Sequence, residues 1–135
     1  MMKQLFLLAA MCAISTGSIA KDLPASAKPM TEAERIEILS GNKIEGIFYG
    51  KNCKKAGDWI VEWNDNGSKI AVVTVTGKKP AKKTLKWEVK DGQFCEQGFR
   101  DETMVCGHEN TYFKDGNTCF TTLKDSKFIT NEFPC

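Results

Sequence analysis

From Asp58 to Asn64 apolar and polar side chains alternate without a break, with Trp59, Val61 and Trp63 on one side and Ile60 and Glu62 on the other. A period of two marks a strand with one buried face. Asn64-Asp65-Asn66-Gly67 follows, a run whose Asn and Gly accept the positive φ of a tight turn, and Lys69 to Thr76 reads as the return strand. A two-residue turn would set Ile70, Val72 and Thr74 beside the tryptophans; a three-residue turn would set Ala71, Val73 and Val75 there. Leu85, Trp87 and Val89 alternate with Lys86, Glu88 and Lys90, and Asp91-Gly92 turns that strand into Gln93 to Gln97. Shorter strands are expected around 103–107, 111–113 and 118–123, with Asp115-Gly116 closing another hairpin.

Only one stretch carries a helical period. Ala33, Ile36 and Leu39 recur at helical spacing after Thr31-Glu32-Ala33-Glu34, a capping box in which Thr31 accepts from the Glu34 N–H and the Glu34 carboxylate reaches back. Gly41 is a natural stop. The pattern predicts a mainly β domain. One short N-terminal helix precedes an antiparallel meander of about eight strands, forming a small lipocalin-like barrel or a sandwich.

The first twenty residues stand apart. Leu5 to Ile14 is almost continuously apolar behind Lys3, and Ser18-Ile19-Ala20 before Lys21 suits a signal peptidase. That run is too short to span a bilayer, and no other apolar stretch is longer, so no membrane span is expected. The expected organisation is a signal peptide over 1–20, a linker over 21–30 and a single domain over 31–135. Cys12 leaves with the leader. Formal charge is +2, one less once Lys3 is removed, which argues against nucleic acid as a partner.

The remaining cysteines are Cys53, Cys95, Cys106, Cys119 and Cys135. Thiols behind an export leader are read as a disulfide framework, in a periplasmic or secreted protein. Cys95 and Cys106 sit opposite each other if Gly98 to Thr103 forms a hairpin bend, at a separation a disulfide bridges. For the second bridge Cys119 with Cys135 would tie down the tail, while Cys53 with either one would join early and late strands. Cys53 is then the candidate free thiol.

Leu39-Ser40-Gly41-Asn42, an early aromatic strand, Trp87-Glu88-Val89-Lys90-Asp91-Gly92-Gln93-Phe94-Cys95 and Met104-Val105-Cys106 come in a distinctive order. This order resembles a family of small exported α-proteobacterial proteins of unknown function. The likeness covers about Leu39 to Thr121. It implies a compact lipocalin-like or half-barrel fold and an exported location, and no catalytic residues. The chain departs from the pattern at Cys53, Cys119 and Cys135, and at Lys86, where a small residue is expected before the tryptophan.

Candidate chemistry is sparse. His108 is the single histidine, and Cys106 with His108 falls short of the four ligands of a structural zinc site. No Gly-x-Ser-x-Gly elbow is present, and Ser40, Ser68 and Ser126 lie in turn-like surroundings. Glu96, Asp101, Glu102 and Glu109 are the carboxylates from which a glycan hydrolase would draw its acid and base. No residue pattern calls for a cofactor. Lys78, Lys79, Lys82, Lys83 and Lys86 form a candidate anion-binding rim, with Lys51, Lys54 and Lys55 in a second loop. Trp59, Trp63 and Trp87 are candidates to line a cavity for a small apolar ligand. The expectation is a non-enzymatic binding module for a protein or envelope component. A lysozyme-inhibitor-like protein, a small-ligand carrier and an envelope-glycan hydrolase are the alternatives.

Overall fold

The computed structural model describes residues 22–50, 52, 54–108 and 111–135. The leader over 1–20, Lys51, Cys53 and Glu109 lie outside them, so the expectations for these positions rest on sequence. Among the described residues one helix, α1 (Glu32–Leu39), is joined to ten strands. These are β1 (Lys28–Pro29), β2 (Lys43–Tyr49), β3 (Lys55–Trp63), β4 (Ser68–Val75), β5 (Ala81–Lys90), β6 (Gln93–Gln97), β7 (Met104–Cys106), β8 (Tyr112–Asp115), β9 (Thr118–Thr122) and β10 (Ile129–Pro134). No helix among the described residues is long and apolar enough to cross a membrane.

All strands pair antiparallel in the order β1-β8-β9-β10-β2-β3-β4-β5-β6-β7. The sheet is not closed into a barrel. It consists of two meanders, β2 to β7 and β8 to β10, joined where β10 returns to lie beside β2. The β3–β4 register sets Ala71 opposite Val61 and Val73 opposite Trp59, so the second of the two turn geometries is realised. Lys69 thereby faces the core, directly opposite Trp63.

Trp63, Trp87, Phe94, Leu39, Val61, Leu85 and Phe133 form one buried cluster. Phe94 is its hub, stacked on Trp87 at 5.4 Å and edge-on to Trp63 at 6.4 Å. Each indole N–H is satisfied: Trp87 donates to Asn64 O, Trp63 to Glu96 Oε1 and Trp59 to Asn131 Oδ1. Gly46 is required by close approach. A Cβ there would stand 2.3 Å from the Trp59 ring, which lies against the β2 backbone and meets Phe133 edge-on at 5.6 Å.

The capping box at Thr31 forms as expected, and Gly41 takes φ 73° just past the Ser40 cap. The buried face of the helix differs from the apolar reading. Arg35 and Leu39 are buried while Ala33 is exposed. The segment before the helix also departs from its sequence reading. In place of a free linker, Asp22 bridges Phe128, Leu23 N–H donates to Lys127 O, Lys28–Pro29 pairs with β8, and Met30 is buried. Pro29 fits because an edge strand has ladder hydrogen bonds on one side only.

Among the described residues two disulfides brace the sheet. Cys95 and Cys106 are directly opposed across β6–β7, with α-carbons 4.0 Å apart. Cys119 on β9 binds Cys135, fixing the tail just after β10. Each closed loop contributes about 3 kcal/mol by the chain-entropy estimate.

Candidate functional site

Two charged regions lie on opposite sides of this sheet. The first is internal. Helix α1 delivers Arg35 between the two meanders, where its guanidinium lies 4.8 Å from the Phe94 ring centroid and 4.4 Å from that of Tyr112. Arg35 Nη2 donates to Glu96 Oε2 at 3.0 Å, and Lys69 Nζ donates to Glu96 Oε1 at 2.6 Å and to Gln97 O at 2.7 Å. Glu32, one turn before Arg35, accepts from the Phe94 N–H. Two cations thus meet two carboxylates, and the Arg35 side chain is 0% exposed.

Burial alone would raise the Glu96 carboxyl, but Lys69, then Arg35 and the Trp63 N–H, hold it below the ordinary carboxylate range. The neighbouring Tyr112 phenol is pushed up, first by burial and then by the Glu96 charge. Half-buried His108 is lowered, first by burial and then by Arg35. Glu96 spends its oxygens on three donors, and an occupied carboxylate is poorly placed to act as a general base. The arrangement ties helix to sheet.

The second region is open. Along β2 and β3 the residues opposite to the core face are Glu45 and Ile47, paired with Ile60 and Asp58, and Glu132 on β10 sits beside Ile47. With Gly46, Lys55, Trp59, Thr118, Phe133 and Pro134 they line a surface groove of about 590 Å³. Its lining combines apolar side chains, Ile47 and Ile60 among them, with three carboxylates and one lysine. Tyr49 donates to Glu132 Oε1 at 3.2 Å, and burial followed by the Glu132 charge pushes the Tyr49 phenol up to about 12.

The structure distributes the sequence candidates unevenly. Trp63 and Trp87 fill the interior against Phe94, and Trp59 alone of the three lines the groove. The lysine rim divides. Lys78, Lys79, Lys82 and Lys86 are exposed, whereas Lys83 turns to the core side, donating to Phe99 O at 2.6 Å and to Glu102 Oε2 at 3.1 Å. Lys82, Lys83 and Lys86 stand on β5, so alternation sends Lys83 the opposite way from the other two. Asp101 accepts from Thr103 N–H, Ser68 and Ser126 serve turn hydrogen bonds, and Cys106 is oxidised. Among the described residues no three metal-ligating side chains converge. Lys54 and Lys55 are exposed, and of the two Lys55 lines the groove.

Sequence reasoning missed Arg35, because a charged residue on a helix is read as solvated. It also missed Glu45, Asp58 and Glu132, which come together only when β10 pairs with β2. The signal available was the outward alternation of Glu45 with Ile47 and of Asp58 with Ile60. No protein-family model, curated protein or solved structure matches the chain.

Proposed function

We propose that the chain is an exported, non-enzymatic interaction module whose groove over β10, β2 and β3 receives a protein partner. The observation that carries this reading is the groove itself, in which Ile47 and Ile60 lie beside the carboxylates of Glu45, Asp58 and Glu132. Such a surface favours a basic, partly apolar segment, because opposite charge steers the encounter and burial of the apolar side chains supplies affinity. The two disulfides fit an oxidising compartment. The periplasm or the exterior is the proposed location, in keeping with the leader and with the resemblance to small exported proteins.

The test is capture from envelope extract by the oxidised protein and by a groove variant carrying Glu45→Gln, Asp58→Asn and Glu132→Gln. Partners held by the native groove and lost by the variant support the reading; identical catches overturn it. The carboxylate rim also favours a second reading, inhibition of a basic glycan-cleaving enzyme of the lysozyme kind. Undiminished lysis in the presence of excess protein removes that reading alone.

A further inference from the structure

The outer face of the sheet is charged asymmetrically. One registered row crosses it: Glu45 on β2 opposes Ile60 on β3, Ile60 opposes Val72 on β4, and Val72 opposes Lys82 on β5. Directly opposed residues share a face, so this row presents Glu, Ile, Val and Lys side by side. Glu45 and Lys82 are exposed, and Ile60 and Val72 are half-buried with their strands paired on both sides. The basic flank continues in Lys86 and in the exposed turn lysines Lys78 and Lys79. The acidic flank continues in Asp58 and Glu132.

Reversed, the row reads Lys, Val, Ile, Glu, the complement of itself in charge with its apolar pair still at the centre. A two-fold interface demands such self-complementarity, since the same patch is used by both copies. Two sheets stacked face to face allow two simple in-plane axes. An axis across the strands would set Lys82 on Lys82 and Glu45 on Glu45. An axis along the strands, between β3 and β4, sets Glu45 opposite the other copy's Lys82 and Ile60 opposite its Val72. Of the neighbouring rows, Lys43 already faces Glu62 within its own sheet, and Asp58 would meet Thr74.

We infer that this face binds a second copy of the chain about a two-fold axis parallel to the strands, Lys82 of each copy entering the other copy's acidic groove beside Glu45. This rests on the interaction-module reading and names its partner. Ile60 and Val72 supply the apolar contact in aligned sheet packing at about 10 Å. The rim ion pairs fix orientation and make association sensitive to salt.

Sedimentation of the full oxidised chain over a wide concentration range tests the idea, with the thermal midpoint of each variant as the folding control. The native protein should dimerise, more weakly at high salt. Lys82→Glu alone and Glu45→Lys alone each place like charges opposite one another and should raise the dissociation constant about tenfold or more. The double variant, Lys82→Glu with Glu45→Lys, restores the complement and should recover the dimer, a rescue that damaged folding would not produce. A chain that stays monomeric at every concentration overturns the second copy as occupant. So does a dimer indifferent to both single reversals. Either result leaves the capture experiment free to support a foreign partner, so the two readings fail separately.

Discussion

The two sides of the sheet treat the same residue types in opposite ways. Inside, Glu96 meets Lys69, Arg35 and the Trp63 indole at hydrogen-bonding distance. Outside, among the described residues, no hydrogen bond or ion pair involves the side chain of Glu45 or Asp58, and Glu132 takes one hydrogen bond, from Tyr49. The difference follows from solvent. A charge removed from water must be matched by protein groups, whereas water matches an exposed one. The inner charges are therefore committed to holding α1 against the sheet, and the outer ones remain available to a partner.

The sharpest way to break this contrast is to remove the inner carboxylate. Glu96→Gln leaves Lys69 buried without a counter-charge and Arg35 with Glu32 alone, and denaturant unfolding should show a loss of about 3–5 kcal/mol. Glu45→Gln on the outer face should stay within about 0.5 kcal/mol. Comparable losses from the two would dissolve the distinction. Next in size is the tail bridge. Replacing Cys119 and Cys135 together by Ser should cost about 3 kcal/mol, read from the shift in unfolding midpoint, with the Cys95–Cys106 bridge still intact by mass.

Acid should act through the inner side. A carboxyl held below its unfolded value contributes stability that is complete above the unfolded range, near pH 4.3, and is lost as pH falls through the folded value. The native chain should accordingly weaken below about pH 4, and Glu96→Gln, already destabilised, should show a shallower acid limb. Should both proteins lose stability in parallel, the slope belongs to other groups. The smallest effect is alkaline and sits at the groove. Tyr49 favours its neutral form up to about 12, so its contribution is present below pH 10 and fades between 10 and 12. Tyr49→Phe should flatten stability across that window, measured by thermal unfolding at stepped pH.

Much of the fold was legible because its signals are local. The Thr31 box acts over three residues. The Asp91-Gly92 turn is written in two adjacent ones, which adopt φ 53° and 76°. The Cys95–Cys106 bridge spans one hairpin, so spacing alone brought it within reach. Arg35 was not legible, because its burial depends on Phe94 from one meander and Tyr112 from the other. Lys83 lost its place in the basic rim through the phase of β5, and the segment before the helix is tied down at one end by Lys127 and Phe128 and at the other by pairing with β8. The groove joins Glu132 to Glu45 across most of the chain length, a distance no local pattern measures.

What the chain of residues determined on its own was the mainly β character, the single capped helix, the turns and the hairpin disulfide, since each is decided by neighbours in sequence. Tertiary structure decided which charges are enclosed and which face outward. That choice depends on how remote strands register, and a shift of one position would exchange the two faces.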